Sequence, residues 1–465
     1  MYGRIREIHL VGIGGAGMSG IAEVLLARGY HVRGSDLKES ETTERLRRLG
    51  ADIRIGHGAA NLGEAQVVVV SSAVSADNPE ISAARERGIP VIPRAEMLGE
   101  LMRLKYGIAI AGTHGKTTTT SLVASVLQSG GIDPTVVVGG KLRSIGSHAT
   151  LGSGEFFVTE ADESDGSFLL LTPSISVITN VDPEHLNHYG TMDKVIEAFI
   201  TFANKVPFFG LVVACLDHPT LQQILPRIKK RIATYGFSAQ ADVRAENLSF
   251  HGSLGTFTVL AGGEELGKVT LRVPGRHNVL NALAAVAVGR ELEIPFRAIK
   301  DGLEAFEGVH RRFEIKGEAD DILYVDDYGH HPEEIKATLA AAKEGWKRRL
   351  VVVFQPHRYT RTQELFEEFT RCFNDADVLF VTDIYPAGEM PIAGVSAKGL
   401  VEALHRHGHK AVHHVAELDD VAPAVAKVLE PGDLCVTLGA GSVWRVCDRL
   451  VERALGRRAL ERGQG

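Results

Sequence analysis

The chain has 465 residues, about three times a typical single-domain length, so two or three hydrophobic cores are expected and a small disulfide-stapled scaffold is excluded. Hydrophobic residues make up 44% of it and charged residues 23%, which excludes wholesale disorder. Lys and Arg number 51 against 58 Asp and Glu, a net charge of −7 that argues against a broad basic surface for nucleic acid or anionic lipid and leaves only local basic sites open.

Along the chain, short Val/Ile-rich runs alternate with longer segments of helical period, the pattern of parallel sheets covered by helices. A first block opens with a strand from Ile8 to Ile13, repeats at His31 to Ser35 and Val67 to Ser71, and fades near Met102 to Tyr106. Its apolar start is no secretory signal, because Gly12, Gly14, Gly15 and Gly17 interrupt it at once. A second block carries strands at Gly107 to Ala111, Thr135 to Val138, Phe156 to Glu160, Ser176 to Asn180 and Leu211 to Ala214. Its tail, Asp242 to Val273, reads as strands joined by hairpins and leads into a helix from Asn278 to Glu291. A third block places strands at Ile322 to Val325, Leu350 to Phe354, Val378 to Thr382 and Leu434 to Thr437. Cys215, Cys372, Cys435 and Cys447 form no Cys-x-x-Cys pair, so neither a disulfide framework nor a zinc ribbon is indicated, and a reducing cytoplasm fits. No apolar run reaches the roughly 18 residues of a membrane span. The expectation is therefore a protein that engages neither nucleic acid nor membrane.

Polar and glycine-rich clusters at strand ends carry the chemistry. Gly12-Ile-Gly14-Gly-Ala-Gly17 follows a strand, opens a helix, and has Asp36 at the end of the next strand. Glycines there let the backbone approach a pyrophosphate at the helix N-terminus, and an acid placed like Asp36 can hold a ribose. On these features alone a dinucleotide oxidoreductase is a serious candidate. Ala111-Gly-Thr-His-Gly-Lys-Thr-Thr-Thr-Thr120 reads as a phosphate loop, with Lys116 for the β- and γ-phosphates and Thr117 for magnesium, although it is shorter than the general pattern. Glu160-Ala-Asp-Glu-Ser-Asp165 and Thr179-Asn-Val-Asp-Pro-Glu-His185 lie at strand ends, where open α/β sheets place ligands. Asp165 and Glu184 suit solvated loop positions better, whereas Glu160 and His185 suit a metal. Asp326-Asp-Tyr-Gly-His330 and the pair Arg358 and Arg361 follow strands in the third block, and two arginines three apart can clamp a carboxylate. A nucleotide switch without catalysis accounts for Lys116 but leaves those arginines idle.

Taken together, GIGGAGMSG from Gly12, AGTHGKTTTT from Ala111, EADESD from Glu160, TNVDPEHLNHY from Thr179, PGRHNVLNALAA from Pro274, GVHRRFE from Gly308, DDYGHHPEE from Asp326 and FQPHRYTRT from Phe354 resemble the Mur ligase family across essentially the whole chain. Within it, the resemblance is to members that add L-alanine to UDP-N-acetylmuramate. A sister ligase that reattaches a recycled tripeptide shares the first two blocks, but EADESD and FQPHRYTRT favour the alanine-adding members.

The resemblance implies an α/β fold of three domains: a Rossmann-like UDP-binding domain over residues 1–105, a central P-loop ATPase-like domain with a mostly parallel sheet and a small added β-region over 106–309, and a Rossmann-like amino-acid-binding domain over 310–465. It implies ATP-dependent ligation through an acyl phosphate, the first amino-acid addition in peptidoglycan precursor synthesis, by a cytoplasmic monomer or weak homodimer using ATP and magnesium, with manganese as an alternative. Gly12, Gly14, Gly15, Gly17, Met18, Ser19, Asp36, Ser71 and Ser72 are then the UDP-substrate residues. Gly112, Thr113, His114, Gly115, Lys116, Thr117, Thr118, His277, Asn278, Arg311 and Asp327 bind ATP, and Thr117, Glu160 and His185 hold the metal. Tyr328, His330, Arg358 and Arg361 form the amino-acid pocket, and Lys116, Glu160, His185 and His330 serve catalysis.

Overall fold

The computed structural model describes residues 5–71, 73–139 and 149–462. It divides into two compact units, one comprising residues 1–247, 257–269 and 279–307, the other residues 248–256, 270–278 and 308–465.

The first unit begins with a five-stranded, wholly parallel sheet in the order Asp52–Ile55, His31–Asp36, Glu7–Val11, Val67–Val70, Val91–Pro93. Val67–Val70 is an unbroken valine run, as a strand packed on both faces requires. The helices are capped locally. Ser40 and Thr43 exchange side-chain and backbone bonds at the start of Glu41–Arg48, and Asn78 accepts from the Glu80 amide at the start of Pro79–Glu86.

The central sheet places Tyr106–Ala111 between Ile175–Ile178 and Phe156–Glu160, all parallel. It continues through Leu211–Cys215 and Ile232–Gly236 to Val243–His251, Leu254–Ala261 and Glu264–Leu271 on one side. On the other side lie Thr135–Val137 and the antiparallel Ala149–Thr150.

The second unit is built on a six-stranded sheet in the order Glu314–Ala319, Ile322–Asp327, Asp433–Leu438, Arg349–Phe354, Val378–Val381, Val412–His414, parallel except for its first pair. Alternate residues feed two cores. Leu350, Val352 and Phe354 enter one, and Val351 and Val353 the other.

Every strand read from the apolar runs is present, with ends shifted by a residue or two. The strands those runs do not mark are mostly at edges: Asp52–Ile55, Val91–Pro93, Ala149–Thr150, Glu314–Ala319 and Val412–His414. An edge strand is covered less and tolerates polar residues; in Asp52–Ile55 only Ile53 is buried. Ile232–Gly236 is the interior exception, with burial confined to Tyr235 and Gly236.

Candidate active site

The glycine turn joins strand Glu7–Val11 to helix Ala16–Ala27, beside the neighbouring strand Val67–Val70, where strand order reverses. Gly12 and Ile13 amides donate to the Ser35 carbonyl at 2.8 and 3.1 Å, and Gly15 donates to Gly12 at 3.1 Å. The helix has no acidic residue in its first turn, and its Met18 and Ser19 are buried. A Cβ at Gly17 would meet the Arg94 guanidinium, which packs against the turn there and would have to shift. Asp36 accepts from the Gly14 amide at 2.9 Å and thus braces the turn itself. Ser71 lines a cleft of about 280 Å³ with Val74, Ile81, Arg85, Arg94 and Asp165. Ser72 lies outside the described residues.

The phosphate loop leaves strand Tyr106–Ala111 and enters helix Lys116–Ser129. Gly112 has φ +136° and its Cβ would collide with the Thr179 hydroxyl, so the loop admits no side chain there. The adjoining strand end clamps the loop. Asn180 Oδ1 accepts from the His114 amide at 2.7 Å, Thr179 Oγ1 donates to the His114 carbonyl at 2.6 Å, and the Asp182 amide donates to Thr113 Oγ1 at 2.9 Å. Gly115 caps the helix in the left-handed region, while Thr117 is half-buried and Thr118 buried.

Lys116 bends back onto its own loop, donating to Gly112 O at 2.6 Å and to Thr113 O at 3.2 Å. It also donates to both oxygens of Glu163 at 2.9 Å. Burial works against the lysine's charge, but Glu163, Asp162 and Glu184 outweigh it and hold Lys116 above its ordinary pKa. Burial also pushes the Glu163 carboxyl up to about 7, with Lys116 pulling it down and Asp162 adding to the rise. Glu163 was not singled out from sequence. It sits in the EADESD loop beside the named Glu160, whose own carboxylate accepts from the Gly139 amide at 2.8 Å. His185, at φ +58°, turns its Nε2 to 3.8 Å from Glu163 and 3.9 Å from Glu184. A hydroxyl, carboxylates and an imidazole on one sheet edge form a donor set that suits a hard divalent cation.

In the second unit, Arg311 has φ +60° and its guanidinium bonds Asp326 at 2.9 Å and the carbonyls of Gly439 and Gly441 at 2.6 and 3.3 Å. Asp327 accepts from the Phe313 and Gly329 amides, both at 2.7 Å. Arg311 and Arg312 both stand 5.1 Å over the Tyr328 ring. Burial and the Arg312 charge depress His277 to about 4, so its imidazole is neutral, and Asn278 donates to the Pro274 carbonyl at 2.7 Å.

His330 packs edge-on to Tyr328 at 5.4 Å and lies 5.9 Å from the ring of His357. Burial, then His330, Arg361, Arg358 and Arg311, drive His357 down to about 3, so its Nδ1 accepts from Arg361 at 3.3 Å. Arg358 caps helix Tyr359–Glu364 at φ +72° and is exposed. His185, Arg311 and Arg358 thus all occupy a backbone region that residues with side chains seldom adopt, as functional positions often do. His357 and Arg312 escaped the sequence reading, although both lie inside the quoted motifs FQPHRYTRT and GVHRRFE.

A parallel sheet carrying a lysine-bearing phosphate loop and a flanking acidic cluster defines an α/β enzyme that handles a nucleoside triphosphate. The Mur ligase family's catalytic domain profile matches residues 7–106, its middle domain residues 110–289, and its glutamate ligase domain residues 311–441. The UDP-N-acetylmuramate–L-alanine ligase of Geotalea uraniireducens is 59% identical over 456 residues, covering 98% of this chain and 100% of that protein. The ligase of that name from Syntrophotalea carbinolica is 59% identical over 452 residues, covering 97% and 99%. Among solved structures, the UDP-N-acetylmuramate-alanine ligase of Thermotoga maritima matches with a TM-score of 0.82 at 32% identity, covering 97% of this chain and 99% of that one. A murein peptide ligase from Psychrobacter arcticus matches at 0.70 with 26% identity, covering 96% and 98%. The chain belongs to the Mur ligase family, whose members use ATP to form amide bonds in peptidoglycan synthesis.

Proposed function

We propose that this chain ligates L-alanine to the lactyl carboxylate of UDP-N-acetylmuramate with hydrolysis of ATP to ADP and phosphate, the first amino-acid addition to the peptidoglycan precursor. The observation that carries the reading is the full-length identity to L-alanine-adding relatives, which spans every motif block at once. The domains divide near 105 and 309, and the enzyme works in the cytoplasm as a monomer or weak homodimer.

A carboxylate is a poor acyl donor. Its oxygen attacks the γ-phosphorus, the bond to the β,γ-bridging oxygen breaks, and ADP leaves an acyl phosphate behind. The glycine turn, with Met18, Ser19, Asp36 and Ser71, holds the UDP end of the acceptor. Residues 112–118 cradle the triphosphate, and Lys116, on exchanging Glu163 for phosphate, offsets the charge of two approaching anions. Thr117, Glu160 and His185 hold magnesium or manganese, which supplies further charge neutralisation on the phosphates. His277 and Asn278 serve the adenine side, and Arg311 and Asp327 take part in ATP binding.

Arg358 and Arg361 grip the L-alanine carboxylate, with Tyr328 closing the pocket. The amine then attacks the acyl carbon and phosphate departs. His330 takes the amine proton. Its Nδ1–H is donated to the Tyr328 carbonyl at 3.0 Å, which leaves Nε2 as the basic nitrogen.

Product analysis tests the reading. Purified protein with ATP, magnesium, UDP-N-acetylmuramate and L-alanine should yield ADP and a nucleotide heavier by one alanyl residue. Ligation of a tripeptide in place of L-alanine would assign the sister activity. Saturable NAD or NADP binding competed by UDP-sugar would overturn the assignment of the glycine turn.

A further inference from the structure

The starts of the parallel strands Leu211–Cys215, Ile175–Ile178 and Tyr106–Ala111 share one edge of the central sheet, the edge opposite the phosphate loop. Large apolar side chains stand in solvent there. Phe208 is 88% exposed and Phe209 53%, their rings edge-to-face at 5.4 Å. Leu104 and Tyr106, 47% and 48% exposed, start a strand two places away, roughly 10 Å at the usual strand spacing.

The loop bearing the phenylalanines is braced from beneath. Asn204 donates to Arg227 O at 3.2 Å and accepts from the Lys229 amide at 2.7 Å, and Arg231 donates to Phe209 O at 3.3 Å. The two rings are therefore held out by the fold. Lysines surround them. Lys205 and Lys229 are exposed, Lys230 is half-buried, and among the described residues none of the three has a carboxylate partner. Their arginine neighbours are already neutralised, Arg227 by Glu197 at 2.6 Å and Arg231 by Glu291 at 2.8 Å. In a chain of net charge −7 this is a local surplus of positive charge around an aromatic tip. Among the exposed acids near the band, Glu197 is taken up by Arg227, and Glu155 stands at the far end, where its carbonyl accepts from the Tyr106 amide.

We propose that this edge is a docking surface for a lipid bilayer bearing anionic headgroups, with Phe208 and Phe209 entering the interface and Lys229 and Lys230 meeting lipid phosphates. Charge complementarity selects this occupant, since a second copy would set lysine against lysine. Aromatic rings flanked by lysines match the layering of an interface, where an apolar body meets a charged rim. Docked so, the central sheet presents its phosphate-loop edge away from the lipid. The sequence expectation of no membrane contact rested on the absence of a spanning segment and on overall charge, neither of which governs a local patch.

Sedimentation with vesicles of phosphatidylcholine alone, and with about one third phosphatidylglycerol, tests this at low and high salt. The full chain should bind the anionic vesicles, release in high salt, and bind neutral vesicles far less. F208S/F209S should lose binding, and K229A/K230A should lose roughly fivefold per lysine. Both variants should keep wild-type melting and ATP-dependent ligation in solution, because the patch is remote from the phosphate loop. No binding to anionic vesicles, equal binding to neutral ones, or binding that neither variant reduces would overturn the proposal, the last two pointing to a contact elsewhere and the first to a protein partner or none.

Discussion

Two buried glutamates in the first unit are driven in opposite directions, and the contrast separates scaffold from site. Glu80 is fully buried, and burial alone would raise its pKa. His9, Ser35, Asn61 and the Gly58 amide outweigh that and bring it down to about 2. The bonds run from 2.6 Å at Ser35 and Asn61 to 3.0 Å at His9 and 3.1 Å at Gly58. Glu163 is as well hidden, and there burial prevails: Lys116 pulls it down, Asp162 adds to the rise, and it reaches about 7. The donors around a buried carboxylate decide whether burial prevails. Those of Glu80 belong to the fold permanently, whereas Glu163 borrows the lysine that the nucleotide needs.

The largest effect is expected where that borrowed partner is removed. Lys116→Ala should lower ligation by roughly a hundredfold to a thousandfold, as loss of one preorganised donor does. The fold should survive because Glu163 can take up a proton. Steady-state ADP release, with circular dichroism as control, checks both halves.

Removing the other glutamate should damage stability and spare chemistry. A carboxylate depressed from 4.5 to about 2 contributes stability that is present above pH 4.5 and is lost as the pH falls towards 2. Glu80→Gln should therefore cost about 3 kcal/mol at neutral pH and flatten the acid limb of the stability curve. Urea titrations between pH 3 and pH 7, read against the roughly 1.4 kcal/mol carried by each pKa unit, would show it. An unchanged acid limb would remove Glu80 from its role as a clamp.

The arginines proposed for the amino acid in the second unit extend the comparison to cations. Arg358 is exposed and without an ion-pair partner among the described residues, and His357 beside it is neutral. Among the described residues, Arg358 therefore lacks the built-in counter-ion that Lys116 has. Arg358→Lys keeps the charge but loses the planar fork, so the KM for L-alanine should rise roughly tenfold while that for ATP stays put. A defect confined to ATP would move Arg358 out of the amino-acid site.

Much of this was legible in the chain. Val67–Val70 and Phe156–Glu160 announce themselves as apolar runs, and the glycine turn and phosphate loop fall between strand and helix as their spacing requires. The choice among four acids in EADESD was not legible, because a loop has no period to say which side chain turns inward. Glu163 does so because its own carbonyl is pinned by the Gly166 amide at 3.1 Å and the Tyr189 hydroxyl at 2.6 Å. Glu80 was hidden by its position, since an acid in the first turn of a helix ordinarily serves the helix dipole in solvent. Asp36 was legible as an acid at a strand end, but its bond to the Gly14 amide required the folded turn.

The exchange of Glu163 for phosphate at Lys116 is tested most directly by calorimetric ATP binding across pH 6 to 8, within the range where Glu163 titrates. Below about 7 the carboxyl is protonated and releases the lysine; above it the carboxylate competes. Wild-type affinity for ATP should therefore weaken as pH rises, by at most roughly tenfold per pH unit, and Glu163→Gln should lose that slope. The titration of ATP itself is common to both proteins and cancels in their difference. Identical slopes for wild type and variant would contradict the exchange.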